Sequence, residues 1–254
     1  MNLLKALSVT KKFGGLSALS NVDLEMSQGE IVSLIGPNGA GKTTFFNVLT
    51  GVSALDQGEI HFSGERVDGR KPHWITARGI ARTFQNIRLF PNMTALENVM
   101  VGRHCRSRNE VLDAIFRTRS FYAEEKEIET TAVERLAFVG LRAHANTLAC
   151  ILPYGEQRKL EIARALATEP RLLLLDEPTA GMNPKESHDL MDLILKIRHE
   201  GVSIFLIEHQ MRVVMGISDR VAVLDHGVKI AEGAPKEIQQ NPLVIEAYLG
   251  APHA

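Results

Sequence analysis

Cysteine is nearly absent from this chain: Cys105 and Cys150 are the two in 254 residues. They are too few for a disulfide framework and lack metal-ligand spacing, so they read as unpaired thiols. Long hydrophobic runs are missing too. No apolar stretch approaches the roughly 18 residues that a membrane span needs, and the N-terminal "MNLLKALSVTKKFGG" has neither the apolar core nor the small-residue cleavage site of a signal peptide. The chain is therefore expected to stay in the cytoplasm. Excess charge of either sign is likewise missing. The formal net charge of −1 gives no general attraction to nucleic acid or anionic lipid, and no nucleic-acid partner is expected. With 44% hydrophobic and 23% charged residues, nothing points to a disordered or collagenous chain. There is no internal repeat or low-complexity tract.

What is present is a chain long enough for one large domain, or for one domain carrying a grafted subdomain. The first ninety residues hold short, partly alternating apolar segments broken by glycines, which predict strands; "IVSLIG" predicts a buried strand and "KTTFFNVLTGV" a helix ending near Gly51. "GEIHFSG" predicts a further strand, followed by a long polar loop. From about Pro91 to Leu148 strand signals nearly vanish. In "EEKEIETTAVERLAFVGL", Ile128, Ala132, Leu136 and Val139 recur at helical spacing. The preceding "RHCRSRNEVLDAIFRTRSFYAEEKE", basic then acidic, predicts helices with a mobile connection and a solvated surface. Strand signals return at "RLLLLDEP" and alternate with the helical "KESHDLMDLILKIRHEG", the strand "VSIFLIEH", another short helix and strands around "RVAVLDHGVKIAEG". "KEIQQNPLVIEAYLGAPHA" predicts a short helix before a frayed tail. Strands separated by helices of this length imply crossover units and a largely parallel sheet. The expected fold is α/β: a three-layer core with an N-terminal antiparallel β region, residues 1–92 plus 166–254, and an inserted helical subdomain at 93–165.

The most specific local signal is "GPNGAGKTT", residues 36–44. It fits G-x-x-x-x-G-K-[ST] through Gly36, Gly41, Lys42 and Thr43, with a strand before it and a helix after it. Small residues (Asn38, Gly39, Ala40) let successive amides turn inward around an anion, and the helix N-terminus adds its partial positive charge. Lys42 can then reach the β- and γ-phosphates of ATP, while Thr43 can supply its hydroxyl to Mg²⁺ and Thr44 completes the loop. Downstream, "LLLLDEP" offers the carboxylates. Asp176 suits magnesium, directly or through water, and Glu177 is placed to polarise an attacking water, since adjacent residues on a strand point to opposite sides.

Other residues gain meaning once ATP is assumed. Gln85 in "RTFQNIRLFP" can touch Mg²⁺ or water, or be an exposed loop glutamine. His209 ends a predicted strand where it can face the γ-phosphate, or it is a cap. Phe13 can stack on adenine, or it is a core phenylalanine. Gly181 and Asn183 in "AGMNP" form a turn just beyond the acids, suited to water or to a second subunit.

Taken together, "KKFGG", "GPNGAGKTT", "FQN", "LPYGEQRKLEIARAL", "LLLLDEP", "AGMNP" and "IEH" resemble the ATP-binding subunits of ATP-binding-cassette transporters over essentially the whole chain. "FGGLSAL", "RLFPNMTALENVMVG", the insertion before "EEKEIETTAVERL" and the final "VIEAYLG" resemble the branched-chain amino acid importer (LivG-type) branch in particular. The resemblance implies a P-loop NTPase core of RecA-like type and an ATPase coupled to transport. It implies a head-to-tail dimer, with a second ATPase subunit of related sequence or a second copy, in which Lys42, Gln85, Asp176, Glu177 and His209 of one chain meet the signature turn (Tyr154, Gly155, Glu156) of the other. It further implies two integral-membrane permease subunits docked near the Gln85 loop and the helical subdomain, an indirect periplasmic amino-acid-binding partner, and a peripheral place on the cytoplasmic face of the inner membrane. One departure is visible. The family signature reads LSGGQ, and Pro153 here replaces its serine, so the amides around Gly155 and the helix start carry that contact. The compact layout and short tail also look like the lipopolysaccharide-transport ATPase, which makes lipid or lipopolysaccharide export an alternative. A soluble, non-transport cassette ATPase is a third, opposed by the single cassette and the lack of a coiled coil or basic extension.

Overall fold

The computed structural model describes residues 2–106 and 119–249. The runs that predicted buried strands do form them: β3 (Ile31–Ile35), β7 (Leu172–Asp176) and β8 (Ser203–Ile207) are buried at every position, as expected of central parallel strands covered on both faces. With β6 (Ile80–Arg82), β9 (Arg220–Asp225) and β10 (Val228–Gly233) they make a six-stranded sheet in the order β10-β9-β3-β8-β7-β6, parallel except for the β9–β10 edge hairpin. A four-stranded antiparallel sheet, order β2-β1-β4-β5, is built from β1 (Asn2–Phe13), β2 (Leu16–Ser27), β4 (Gln57–Phe62) and β5 (Glu65–Arg66).

Alternation along the strands sorts the core into layers. Val32, Leu34, Leu172, Leu174, Phe205 and Ile207 face the antiparallel sheet and Phe45 and Phe46 of α1 (Lys42–Leu49). Their neighbours Leu173, Leu175, Ile204 and Leu206 face the helices. These are α3 (Ala95–Arg103), α4 (Arg119–Phe138), α5 (Tyr154–Leu166), α6 (Pro184–His199) and α7 (Met211–Ile217). The expected three-layer α/β architecture is thus present, with the antiparallel sheet as one outer layer. Ile128, Ala132, Leu136 and Val139 are all buried, as their spacing required. Residues 107–118, within the stretch expected to hold helices and a mobile connection, lie outside the described residues, as does the tail beyond 249.

Two local expectations need correction. The loop expected after β4 contains β5, the short helix α2 (Pro72–Ala77) and β6. Pro72 at the first helical turn starts α2, and Arg70 and Arg78 both stack on Trp74, so a helix too short and polar for periodicity is held by cation–π contacts. The single C-terminal helix is two, α8 (Pro235–Gln239) and α9 (Pro242–Leu249), because Pro242 begins a new first turn.

α3 and α5 cross closely at Gly102, where a Cβ would sit 2.3 Å from the Arg164 carbonyl oxygen. Gly102→Ala is expected to cost about 1–3 kcal/mol through overpacking. Urea unfolding measures this, and an unchanged midpoint would contradict the close crossing.

Candidate functional site

Sheet order places the site. β3, β8, β7 and β6 are neighbours, and Leu34 pairs Ile207, Asp176 pairs Ile207, and Arg82 pairs Leu174. Four strand ends therefore release the phosphate loop, His209, the Asp176–Glu177 pair and the Gln85 loop side by side, at the C-terminal edge where parallel sheets collect ligands.

The loop at residues 36–41 turns in a confined space. Gly36 has φ +149° and a Cβ there would lie 2.0 Å from the Leu224 carbonyl oxygen; Gly41 has φ +102° and faces the Ala18 carbonyl at 2.5 Å in the same sense. The β9–β10 turn braces the loop, with the Gly227 amide donating to the Ala40 carbonyl at 3.0 Å. Lys42 is buried and donates from Nζ to the carbonyls of Gly36 (2.7 Å) and Pro37 (2.9 Å). Burial lowers its pKa below 10.5, and the nearby Glu177 and Asp176 act in the opposite direction. A desolvated ammonium resting on neutral carbonyls is poised for an anion.

Helix capping makes a second point. α3 and α6 each begin with a complete capping box, Thr94 with Glu97 and Asn183 with Glu186. α1 and α5 have none: their N-caps are Gly41 and Pro153, and neither makes a side-chain cap hydrogen bond. No cap side chain takes the first-turn amides of those two helices, nor those of the short α2 and α7.

Glu177 follows β7 in the left-handed region, φ +47°, with its amide donating to the Ile207 carbonyl at 2.9 Å. That uncommon backbone turns its carboxylate toward the Gln85 and His209 side chains. Gln85 Nε2 donates to Glu177 Oε2 at 2.8 Å, and His209 Nδ1 lies 3.6 Å from the same oxygen. Asp176 is buried and paired with Arg82 at 2.8 Å.

A cleft of about 600 Å³ gathers Phe13, Asn38, Gly39, Ala40, Gly41, Lys42, Thr43, Thr44, Gln85 and Glu177. Phe13 is 51% exposed at the β1–β2 turn, which sets aside the core alternative for it. His209 reaches the cleft through Glu177, and Asp176, next to Glu177, acts electrostatically on Lys42 of the cleft. Tyr154, Gly155 and Glu156 do not line it. They begin α5, whose signature turn packs beside the loop after β7: a Cβ on Gly155 would meet Glu186 at 3.1 Å, and one on Gly181 would meet the Tyr154 ring at 3.5 Å. Signature turn and "AGMNP" loop thus form one patch, separate from the phosphate cleft.

Sequence reading missed several residues that hold this geometry. Arg82 ties Asp176 to Asn47 (2.8 Å) and Thr50 (3.2 Å) of α1. Glu208, fully buried, accepts from the amide and hydroxyl of Thr179 and from the amides of His209 and Gln210, so one carboxylate fixes both loops that carry the Glu177 and His209 side chains. His226, at the turn bracing the phosphate loop, also lines the cleft. The acid before the histidine in "IEH" and the "DHG" turn are the signals that were available. Among the described residues, no cluster of His, Cys, Asp and Glu could hold a metal by itself, and no helix is long and apolar enough to cross a membrane.

Residues 19–180 match the family described as ABC transporter, and residues 228–254 match the family described as branched-chain amino acid ATP-binding cassette transporter. The chain is 47% identical over 249 residues to the high-affinity branched-chain amino acid transport ATP-binding protein BraF of Pseudomonas aeruginosa, covering 98% of each. It has the same identity and coverage with the protein of that description, LivG, of Escherichia coli K12. Among solved structures it is similar to the ADP conformation of an ATP-binding cassette of an ABC transporter, with TM-score 0.86, 33% identity, and coverage of 98% of this chain and 99% of that one.

Proposed function

The chain belongs to the ABC transporter family of ATP-binding proteins, and from that membership we propose that it is the ATP-hydrolysing subunit powering a membrane importer of branched-chain amino acids. The observation that carries the site assignment is the Gln85–Glu177–His209 contact at the mouth of a cleft lined by a complete phosphate loop. The C-terminal match to the branched-chain family favours amino-acid import over lipopolysaccharide export.

In this reading Phe13 stacks on adenine, the amides of residues 38–44 surround the phosphates, and Lys42 leaves the Gly36 and Pro37 carbonyls for the β- and γ-phosphate oxygens. Thr43, Asp176 and the Oε1 of Gln85, which gives only its nitrogen to Glu177, are hard oxygen donors of the kind Mg²⁺ takes alongside phosphate. When bound, the ion would neutralise phosphate charge. Glu177 orients and polarises a water for in-line attack; the water oxygen bonds to the γ-phosphorus as the bond to the bridging oxygen breaks, giving ADP and phosphate. His209 steadies Glu177 and faces the γ-phosphate.

The start of α5 has no side-chain cap and lies outside its own chain's phosphate cleft, so in this reading its amides at Tyr154, Gly155 and Glu156 serve a second subunit's nucleotide. That subunit is a second copy or a related ATPase in head-to-tail arrangement, with Gly181 and Asn183 at the same contact. One of two permease subunits docks in the groove of about 410 Å³ between α2, α3, α5 and the Gln85 loop, where Phe90 is 46% exposed under the Arg164 guanidinium. In this reading the chain lies peripherally on the cytoplasmic face of the inner membrane, with a periplasmic amino-acid-binding protein as an indirect partner.

Affinity purification of the full chain from native membranes in mild detergent tests the assembly. Recovery of two membrane subunits is expected, and Phe90→Asp should lower it about tenfold, the loss typical of a buried aromatic anchor. Recovery of no membrane subunit, under conditions that preserve ATPase complexes, would contradict the transport role.

A further inference from the structure

Arg158 and Glu161 lie one turn apart in α5, and both side chains are almost fully buried, 0% and 2% exposed. Burial of an ion pair is rarely neutral for stability, so its surroundings matter. Here four of the pair's six hydrogen bonds go to the backbone of the Gln85 loop. Arg158 donates to the Phe84 carbonyl at 2.6 Å and to the Gln85 carbonyl at 2.7 Å, while its Nη1 also meets Glu161 Oε2 at 2.8 Å. Glu161 Oε1 accepts from the amides of Phe84 (3.4 Å) and Arg88 (3.3 Å). Four main-chain groups of one loop are thus held by two side chains of a helix about 73 residues away in sequence. Arg158 Nη2 also reaches Tyr154 Oη at 3.2 Å, in the signature turn. Burial pushes the Glu161 carboxyl up, with Arg158 opposing that, so the carboxylate depends on the guanidinium.

We propose that Arg158, braced by Glu161, is a positioning residue that fixes the Gln85 loop on the signature helix so that Gln85 Nε2 meets the Glu177 carboxylate. The helix carrying the contact to the partner's nucleotide is then also the frame for the residue that holds this subunit's own water-orienting acid. A guanidinium is required because its two Nη groups must reach two carbonyls at once; an ammonium keeps the charge and loses the fork. This inference rests on the ATPase reading above.

A double-mutant cycle with Mg-ATP, on the complex purified with its partner subunits, tests it. Arg158→Met should lower kcat about tenfold with the KM for ATP within about twofold, because the phosphate cleft is untouched. Arg158→Lys should fall as far as Arg158→Met. Gln85→Ala should show a similar fall, and the double variant should be no slower than the slower single one, since Arg158 acts through Gln85. Multiplying effects, or full activity in Arg158→Lys, would overturn the proposal, because a fold-wide or purely charge-balancing role predicts one or the other. If Arg158→Met does not fold by circular dichroism, Glu161→Gln takes its place, with about a threefold fall again absorbed by Gln85→Ala; a fall that multiplies would overturn the proposal equally. Absence of hydrolysis by the wild-type complex with its partner subunits would instead overturn the ATPase reading, and this inference with it.

Discussion

Glu177→Gln is expected to leave ATP binding intact and to lower hydrolysis by about 10²–10⁴-fold, the range a positioned general base contributes. The substitution is nearly isosteric and keeps a side-chain oxygen that can accept the hydrogen bond Gln85 now donates at 2.8 Å. The backbone at φ +47° is secured independently, by the Glu177 amide on the Ile207 carbonyl and by Glu208 on Thr179 two residues later. What disappears is the negative charge that orients and polarises the water. Affinity should change little, because Lys42 and the loop amides are unaltered; removing a negative charge beside the phosphates acts, if anything, in favour of binding. Phosphate release and equilibrium nucleotide binding, measured on the same preparation, separate the two effects. Wild-type turnover in this variant would assign the water to another residue.

The parts of this site that were legible in the sequence are those encoded by neighbouring residues. "GPNGAGKTT" carries its own strand, turn and helix context, and the four leucines before Asp176 read as a strand because a central parallel strand is apolar on both faces. The supporting residues were illegible for the opposite reason. Arg82 meets Asp176 across 94 positions and Arg158 meets the Gln85 carbonyl across 73, so no local pattern announces either pair. The helix α2 escaped notice because its six residues are shorter than two turns and it is held by Arg70 and Arg78 on Trp74, not by an apolar stripe. The place of the signature turn came from resemblance alone. The fold shows why spacing could not supply it: the turn does not line its own chain's cleft.

Lys42→Ala is expected to weaken ATP binding by about 2–4 kcal/mol, roughly 30- to 1000-fold in Kd, as truncation of a buried, charge-assisted contact does. Its effect on the ligand-free fold should be far smaller, and the sign follows from the lysine's surroundings. Burial holds the Lys42 pKa below its ordinary 10.5, so the folded chain disfavours the ammonium relative to the unfolded one. That destabilisation is present at neutral pH and is relieved only as pH rises through the lowered pKa towards 10.5. Removing the charge at pH 7 relieves the same destabilisation, which offsets the two hydrogen bonds lost to the Gly36 and Pro37 carbonyls. Thermal unfolding with and without nucleotide distinguishes this from a packing defect. Wild type should gain about 2.7 kcal/mol when ATP is present at 100 times its Kd; the variant should start within about 1 kcal/mol of wild type without ligand and gain about 0.9 kcal/mol or less at the same ATP concentration. A variant already unstable without ATP would make Lys42 a structural residue. One that still gained the full increment would remove it from the phosphate site, and with it the reason for keeping a desolvated cation among neutral carbonyls.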